Sequence, residues 1–226
     1  MDSENHLNNE TIEKESFTDS FDSLGLLMSF LHDLFIKYQI PMVQKTDQKI
    51  EIGECIQIGD YSGEGPFEKT FRANYSQDKI VIKFFYDFEY NNNCERTIRA
   101  LLKGLFSIMS VTHERFPKFY GVYLDLEENK LAILVEFIDG ITLLELIHGK
   151  NWTLRGMNDI NADHKLPSGK DLCKYFIQIT EILNEVYNKQ NTLVQQLKPT
   201  NIIITPQDKI YLLDYGMLPF SLITFN

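Results

Sequence analysis

An α+β fold in two unequal parts is predicted for this 226-residue chain by three features of its sequence. Between Lys49 and Val135, β-branched and aromatic runs alternate with turn residues, which gives five strands. One apolar-periodic helix, about Cys94 to Met109, interrupts them between the third strand and the fourth. Beyond Gly140 helical periodicity takes over, broken by a short apolar hairpin. Segregated strands and helices in this order point to α+β rather than to alternating α/β units.

Residues 1–19 carry Asp2, Glu4, Glu10, Glu13, Glu15 and Asp19 against Lys14, with few large apolar groups. That composition reads as a disordered acidic tail. From Ser20 to Tyr38, Leu24, Leu27, Met28, Leu31, Leu34, Phe35 and Tyr38 recur at helical spacing. Phe21, Leu26 and Phe30 widen the apolar face, so this helix is expected to be largely buried, with Pro41 ending it. Residues 20–48 are therefore an amphipathic helix and linker, 49–138 the sheet part and 139–226 the helical part.

The five strands are Glu51–Gly59, Lys69–Tyr75, Lys79–Tyr86, Phe119–Leu126 and Leu131–Phe137, the last two joined at Asn129-Lys130. In the helix between them Ile98, Leu101, Leu102, Leu105 and Ile108 share one side. Thr142–His148 reads as a short helix and 152–168 as a long loop. Asp171–Tyr187 is a strong helix with Leu172, Tyr175, Phe176, Ile179, Ile182, Leu183 and Val186 facing inward. Ile202–Thr205 and Ile210–Leu213 form the hairpin, turning at Pro206–Lys209.

Composition narrows the function. Hydrophobic content of 43% with 24% charged residues is that of a globular chain. A net charge of -10 excludes the basic surface that nucleic acid requires. Cys55, Cys94 and Cys173 are scattered and odd in number, as free thiols in a reducing compartment would be, and no His or Cys pair has zinc spacing. Residues 1–20 lack a signal peptide's apolar stretch, and no apolar run is long enough to span a bilayer. The expectation is a soluble protein of the cytoplasm or nucleus, engaging neither nucleic acid nor membrane.

Three stretches carry chemistry. Gly63-Glu64-Gly65 lies between two strands; its backbone can approach phosphate oxygens closely, or simply form a tight turn. Lys83 ends the apolar run Ile80-Val81-Ile82, where an ammonium needs a counter-charge unless the strand is an edge facing water. Leu197-Lys198-Pro199-Thr200-Asn201 and Asp214-Tyr215-Gly216 bracket the apolar hairpin, so Asn201 and Asp214 can converge. An amide oxygen and a carboxylate together suit Mg²⁺, a hard cation.

Taken in this order, the stretches from Glu51 to Gly216 resemble the eukaryotic protein kinase family, of the Ser/Thr type. Gly63–Ala73 (GEGPFEKTFRA) is similar to its glycine-rich loop and Ile80–Lys83 (IVIK) to the V-A-I-K strand. Leu134–Leu143 (LVEFIDGITL) resembles the hinge, Val194–Asn201 (VQQLKPTN) the H-R-D-L-K-P-x-N loop and Asp214–Gly216 (DYG) the D-F-G motif. The resemblance implies a five-stranded N-lobe with one helix and a mainly helical C-lobe. It implies ATP and Mg²⁺ as cofactors: Gly63, Gly65 and Lys83 at the phosphates, Val135 as gatekeeper with Glu136 to Ile138 facing adenine, Lys198 near the γ-phosphate, and Asn201 and Asp214 on the metal.

The departures are as specific as the matches. Gln196 stands where the family has its catalytic aspartate, and Gln195 and Val194 replace the preceding Arg and His. The third loop glycine is Glu68, and the place of the helix acid that pairs with the strand lysine falls on Gly104, with Glu95 the nearest acid. No A-P-E segment follows Gly216. No catalytic residue is therefore assigned, and a pseudokinase with a truncated C-lobe is expected, acting as a binding or regulatory module for a protein partner such as a true kinase or its substrate. The alternatives are a weak or atypical Ser/Thr kinase using Lys83, Asn201 and Asp214, and a truncated gene product without its own role. The helix Asp171–Tyr187 should have an uncovered apolar side, which the N-terminal helix or a partner chain is expected to cover.

Overall fold

The computed structural model describes residues 23–43, 50–55, 67–85, 94–111, 113–148, 167–190 and 197–213. The acidic tail 1–19 and most of the loop 152–168 lie outside them.

Helix α1 spans Leu24–Lys37, and the Ser23 hydroxyl caps it by accepting the Leu26 N–H at 3.3 Å. Its end differs from the expectation. Pro41 does not stop it; Gln39 does, in the left-handed region at φ 53°. The Gln39 N–H reaches Ile36 O at 3.1 Å and the Ile40 N–H reaches Phe35 O at 2.9 Å, a Schellman closure that satisfies the last carbonyls. Because glutamine pays a Cβ penalty there, Gln39→Gly is expected to raise stability by about 1 kcal/mol, read as a higher melting temperature.

All five expected strands are present: β2 (Ile50–Cys55), β3 (Phe67–Tyr75), β4 (Asp78–Phe85), β5 (Phe119–Asp125) and β6 (Lys130–Glu136). A sixth, β1 (Met42–Val43), joins the edge parallel to β5, and the sheet order is β1-β5-β6-β4-β3-β2. Two residues are too few for a strand-period signal. The seam depends on Gly121, whose φ is 143° and whose place would put a Cβ 2.6 Å from Pro41 O. That carbonyl accepts the Val122 N–H at 2.8 Å.

Helix α2 (Cys94–Ser110) lies between β4 and β5 in the chain and buries Ile98, Leu101, Leu102, Leu105 and Ile108, as its periodicity predicts. These pack in one cluster with Leu27, Met28, Leu31, Leu34 and Phe35 of α1 and with Phe85, Val122 and Ile133 of the sheet. Tyr38 meets Phe106 edge to face at 5.5 Å. The N-terminal helix therefore covers α2, not the long C-terminal helix it is expected to shield. Leu26, counted in its wide apolar face, is exposed, because α1 docks by one side only. On the opposite sheet face Ile80, Ile82 and Leu134 are buried beneath Tyr75, Phe84, Tyr120 and Tyr123.

The second part holds β7 (Ile141–Thr142), α3 (Leu143–His148), α4 (Gly169–Gln190), a 3₁₀ turn (Pro199–Asn201), β8 (Ile202–Ile204) and β9 (Ile210–Leu212). Strands β7-β8-β9 make a small antiparallel sheet. Capping boxes start both helices. Glu145 N–H bonds Thr142 Oγ1 at 3.0 Å while Thr142 N–H bonds the Glu145 carboxylate at 2.7 Å. Ser168 and Asp171 repeat the exchange, each N–H reaching the other side chain at 3.2 Å. Hydrogen bonds from Ser168 hold the Asp171 carboxyl below its usual range.

Helix α4 clamps the hairpin turn. Lys174 Nζ stands 2.7 Å from Asp208 Oδ2, and Gln178 Nε2 donates to Asp208 O at 2.9 Å. The hydrogen bond from Lys174, and its charge, lower the Asp208 pKa. A carboxyl lowered on folding adds stability above its unfolded pKa, and that stability is lost as pH falls through the folded value. Asp208→Asn is accordingly expected to flatten the acid side of a melting-temperature profile slightly, below the ordinary aspartate pKa of about 4.

The segment after α2 joins the two parts. Val111 and Phe116 enter the core formed by Leu143, Tyr175, Ile179, Ile182, Val186, Ile202 and Ile210. Leu212 N–H donates to Arg115 O at 3.0 Å. His113 Nδ1 accepts the Arg115 N–H at 3.0 Å, which leaves the proton of the neutral ring on Nε2, 3.4 Å from Glu185 of α4.

Candidate functional site

Among the described residues four polar or charged ones are buried: Thr70, Lys83, Asp125 and Asn201. Asp125 is a turn residue; its Oδ1 accepts the N–H groups of Glu127 and Glu128 at 3.0 Å and its Oδ2 the Tyr123 hydroxyl at 3.2 Å. The other three lie in the stretches singled out above.

Lys83 is 7% exposed. Strand β4 sits between β3 and β6, so Lys83 pairs with Thr70 on one side and Ile133 on the other. The edge-strand reading is thereby removed. An ammonium held inside a sheet is costly unless a negative group meets it. Gly63 and Gly65 lie outside the described residues.

The hinge follows β6. The Glu136 N–H donates to Lys118 O at 2.8 Å and its carboxylate accepts the Lys118 N–H at 3.1 Å. The Glu136 side chain and backbone N–H are thus both tied to the start of β5. Phe137 donates its N–H to Lys79 O at 3.0 Å, and the Arg72 guanidinium stands 4.9 Å over its ring. Ile138 is buried. Two hinge-fixing residues were not legible as such: Arg72, which carries no local signal, and Gly140. A Cβ on Gly140 would lie 2.5 Å from Ile204 O, so the backbone of β8 requires glycine there. The Asp139-Gly140 turn signature was the available hint.

In the second part Asn201 is buried at the end of the 3₁₀ turn, and exposed Lys198 accepts its N–H at 2.8 Å. Ile202 pairs with Leu212, and the Leu213 N–H donates to Asn201 O at 2.7 Å. The register thus sets Asn201 beside Leu213, one residue before Asp214. Asp214 itself lies outside the described residues, as do Val194, Gln195 and Gln196. On α2, Glu95 receives Nε and Nη2 of Arg99 at 2.9 and 2.6 Å, and Gly104 is buried without a side chain to offer.

No family model matches the chain. Curated relatives do. It is 28% identical over 160 residues to the proto-oncogene serine/threonine-protein kinase mos of Rattus norvegicus, covering 68% of this chain and 44% of that protein. Identity to the mitogen-activated protein kinase mpkB of Aspergillus fumigatus is 23% over 192 residues, covering 78% and 47%. With the serine/threonine-protein kinase Nek10 of Mus musculus it is 27% over 105 residues, covering 46% and 8%. The chain spans less than half the length of these relatives. Distant identity, the sheet with its one helix and a buried strand lysine agree: the chain is a distant relative of the serine/threonine protein kinases.

Proposed function

We propose that the chain is a kinase-like binding module that does not transfer phosphate. The observation that carries this reading is Gln196, three residues ahead of the Pro199–Asn201 turn, where the resembled loop has its base. A glutamine amide can hydrogen-bond a hydroxyl but cannot take its proton near neutral pH. Loss of a general base costs about 10²- to 10⁴-fold in rate.

The residues present fit a nucleotide and its metal. Lys83 would hold the α- and β-phosphates, the backbone of Glu136 and Ile138 the base, and Asn201 with Asp214 a Mg²⁺ ion. Bound ATP would bring a transferable phosphoryl group; the chain's own part is to bind and orient it. Buried Lys83 and Asn201 favour one second reading, a slow phosphotransferase. A protein partner, rather than a reaction product, is the output of the first.

Melting curves with ATP, with and without Mg²⁺, test the site, and radiolabelled ATP with a basic protein substrate tests the chemistry. The expected result is a rise in melting temperature with ATP·Mg²⁺ that Lys83→Ala abolishes, and no labelled substrate. A shift that survives Lys83→Ala removes the site. Labelling that Asp214→Asn abolishes would establish the second reading instead.

A further inference from the structure

Of the buried polar residues among those described, Asp125 closes a turn, and Lys83 and Asn201 have places in the proposed site. Thr70, only 6% exposed, has no such place. A buried hydroxyl costs stability unless something bonds it. Among the described residues the Thr70 hydroxyl makes no hydrogen bond.

The register fixes the face on which it stands. Thr70 of β3 lies directly opposite Lys83 of β4. Opposed residues of an antiparallel pair share a face, with Cβ atoms about 4.5–5.5 Å apart. Lys83 lies opposite Ile133 on its other side and two residues from Phe85, and both of these pack in the cluster with α2. Thr70 and Lys83 therefore stand on the α2 side of the sheet. Two residues along β3, Arg72 shares that face opposite Val81 and stands over the hinge ring of Phe137. One face thus leads from the hinge, past Arg72 and Val81, to the pair of Thr70 and Lys83. A nucleotide with its base at the hinge would carry its phosphates toward that pair.

The chemistry of the two groups names the kind of atom they can share. Lys83 offers donors alone, and a threonine hydroxyl offers one donor. A ligand atom that meets both must accept, and beside an ammonium an anionic oxygen accepts best. Threonine also suits the task because it is stiff at χ1 and little freedom is left to lose on binding. Strand β3, held between β2 and β4, keeps its backbone in place.

We propose that the Thr70 hydroxyl is a binding group of the nucleotide site, donating to a phosphate oxygen of the nucleotide that Lys83 holds. This role rests on the nucleotide-binding reading above. It adds a residue to that site and a selectivity, for nucleoside di- and triphosphates over the bare nucleoside. It also has a signature that a structural hydroxyl lacks. A hydroxyl kept for a ligand has no partner in the ligand-free protein, so its removal there costs no stability.

Thr70→Val keeps the shape and removes the hydroxyl, while Thr70→Ser keeps the hydroxyl. Melting of the ligand-free chain and calorimetric titration with ADP·Mg²⁺ and with adenosine separate the two roles. Ligand-free Thr70→Val is expected to melt at the same temperature as the unaltered chain or above it. Its preference for ADP over adenosine should fall about 10-fold, and Thr70→Ser should keep most of that preference. A lower melting temperature of ligand-free Thr70→Val marks a structural hydroxyl and overturns the proposal. An unchanged preference overturns it too, as does a loss in Thr70→Ser equal to that in Thr70→Val, which would assign the effect to packing. If the unaltered chain binds neither ADP nor adenosine, the nucleotide reading falls and the role of Thr70 with it. If it binds ADP and both Thr70 variants bind equally well, the role of Thr70 alone falls.

Discussion

Leu31→Ala is expected to cost about 3–4 kcal/mol, read as a loss in urea midpoint at unchanged slope. Leu31 is fully buried between α1 and α2, among Leu27, Phe35, Ile98 and Leu105. Removing its isopropyl group leaves a cavity walled by two helices that are held by the sheet and cannot close on it. A domain of this kind has about 5–15 kcal/mol in total, so one truncation takes a large fraction of it. Cutting away residues 1–43 should do more. It uncovers Leu101, Leu102 and Leu105 together, and the product is expected to aggregate. The comparison separates two views of the N-terminal helix. A removable appendage would leave the remainder soluble and its melting temperature unchanged; α1 as half of the first core would not.

Gly121→Ala is expected to cost about 2–4 kcal/mol, although it adds a single methyl group. At φ 143° an L side chain is strained, and the new Cβ would stand 2.6 Å from a backbone oxygen, that of Pro41. Backbone cannot swing aside as a side-chain tip can, so the β1–β5 seam must open. Hydrogen exchange at the Val122 amide gives the specific readout, because that N–H donates to Pro41 O. Faster exchange there than at the Ile133 and Leu134 amides marks local opening of the seam. Uniform acceleration would mean that the sheet fails as one unit.

Elements with a repeating pattern were readable one by one. Helices α2 and α4 and strands β3 to β6 appear within a few residues of their predicted bounds, because each is long enough for its apolar residues to mark it against the turns that flank it. The two-residue strands were not. β1 and β7 have two residues each and owe their existence to the strands beside them. The end of α1 was misplaced for a similar reason. Proline is visible in a sequence, whereas a glutamine held at positive φ by two closing hydrogen bonds is not.

The candidate site divides along the same line. Residue types mark Lys83, Asn201 and Asp214, an ammonium in an apolar run and an amide and a carboxylate around a hairpin, whereas Gln196 is singled out only by the family resemblance of its loop. That Lys83 lies inside the sheet, and not on an edge, was decided only by strand order, because pairing partners far apart in the chain determine which strand is central. The partner of α1 was decided in the same way. Its stripe stated that it must be buried, but amphipathicity names no target, and the choice of α2 over α4 came from the turn at Gln39 and the gap at Gly121 that aim the chain along β5.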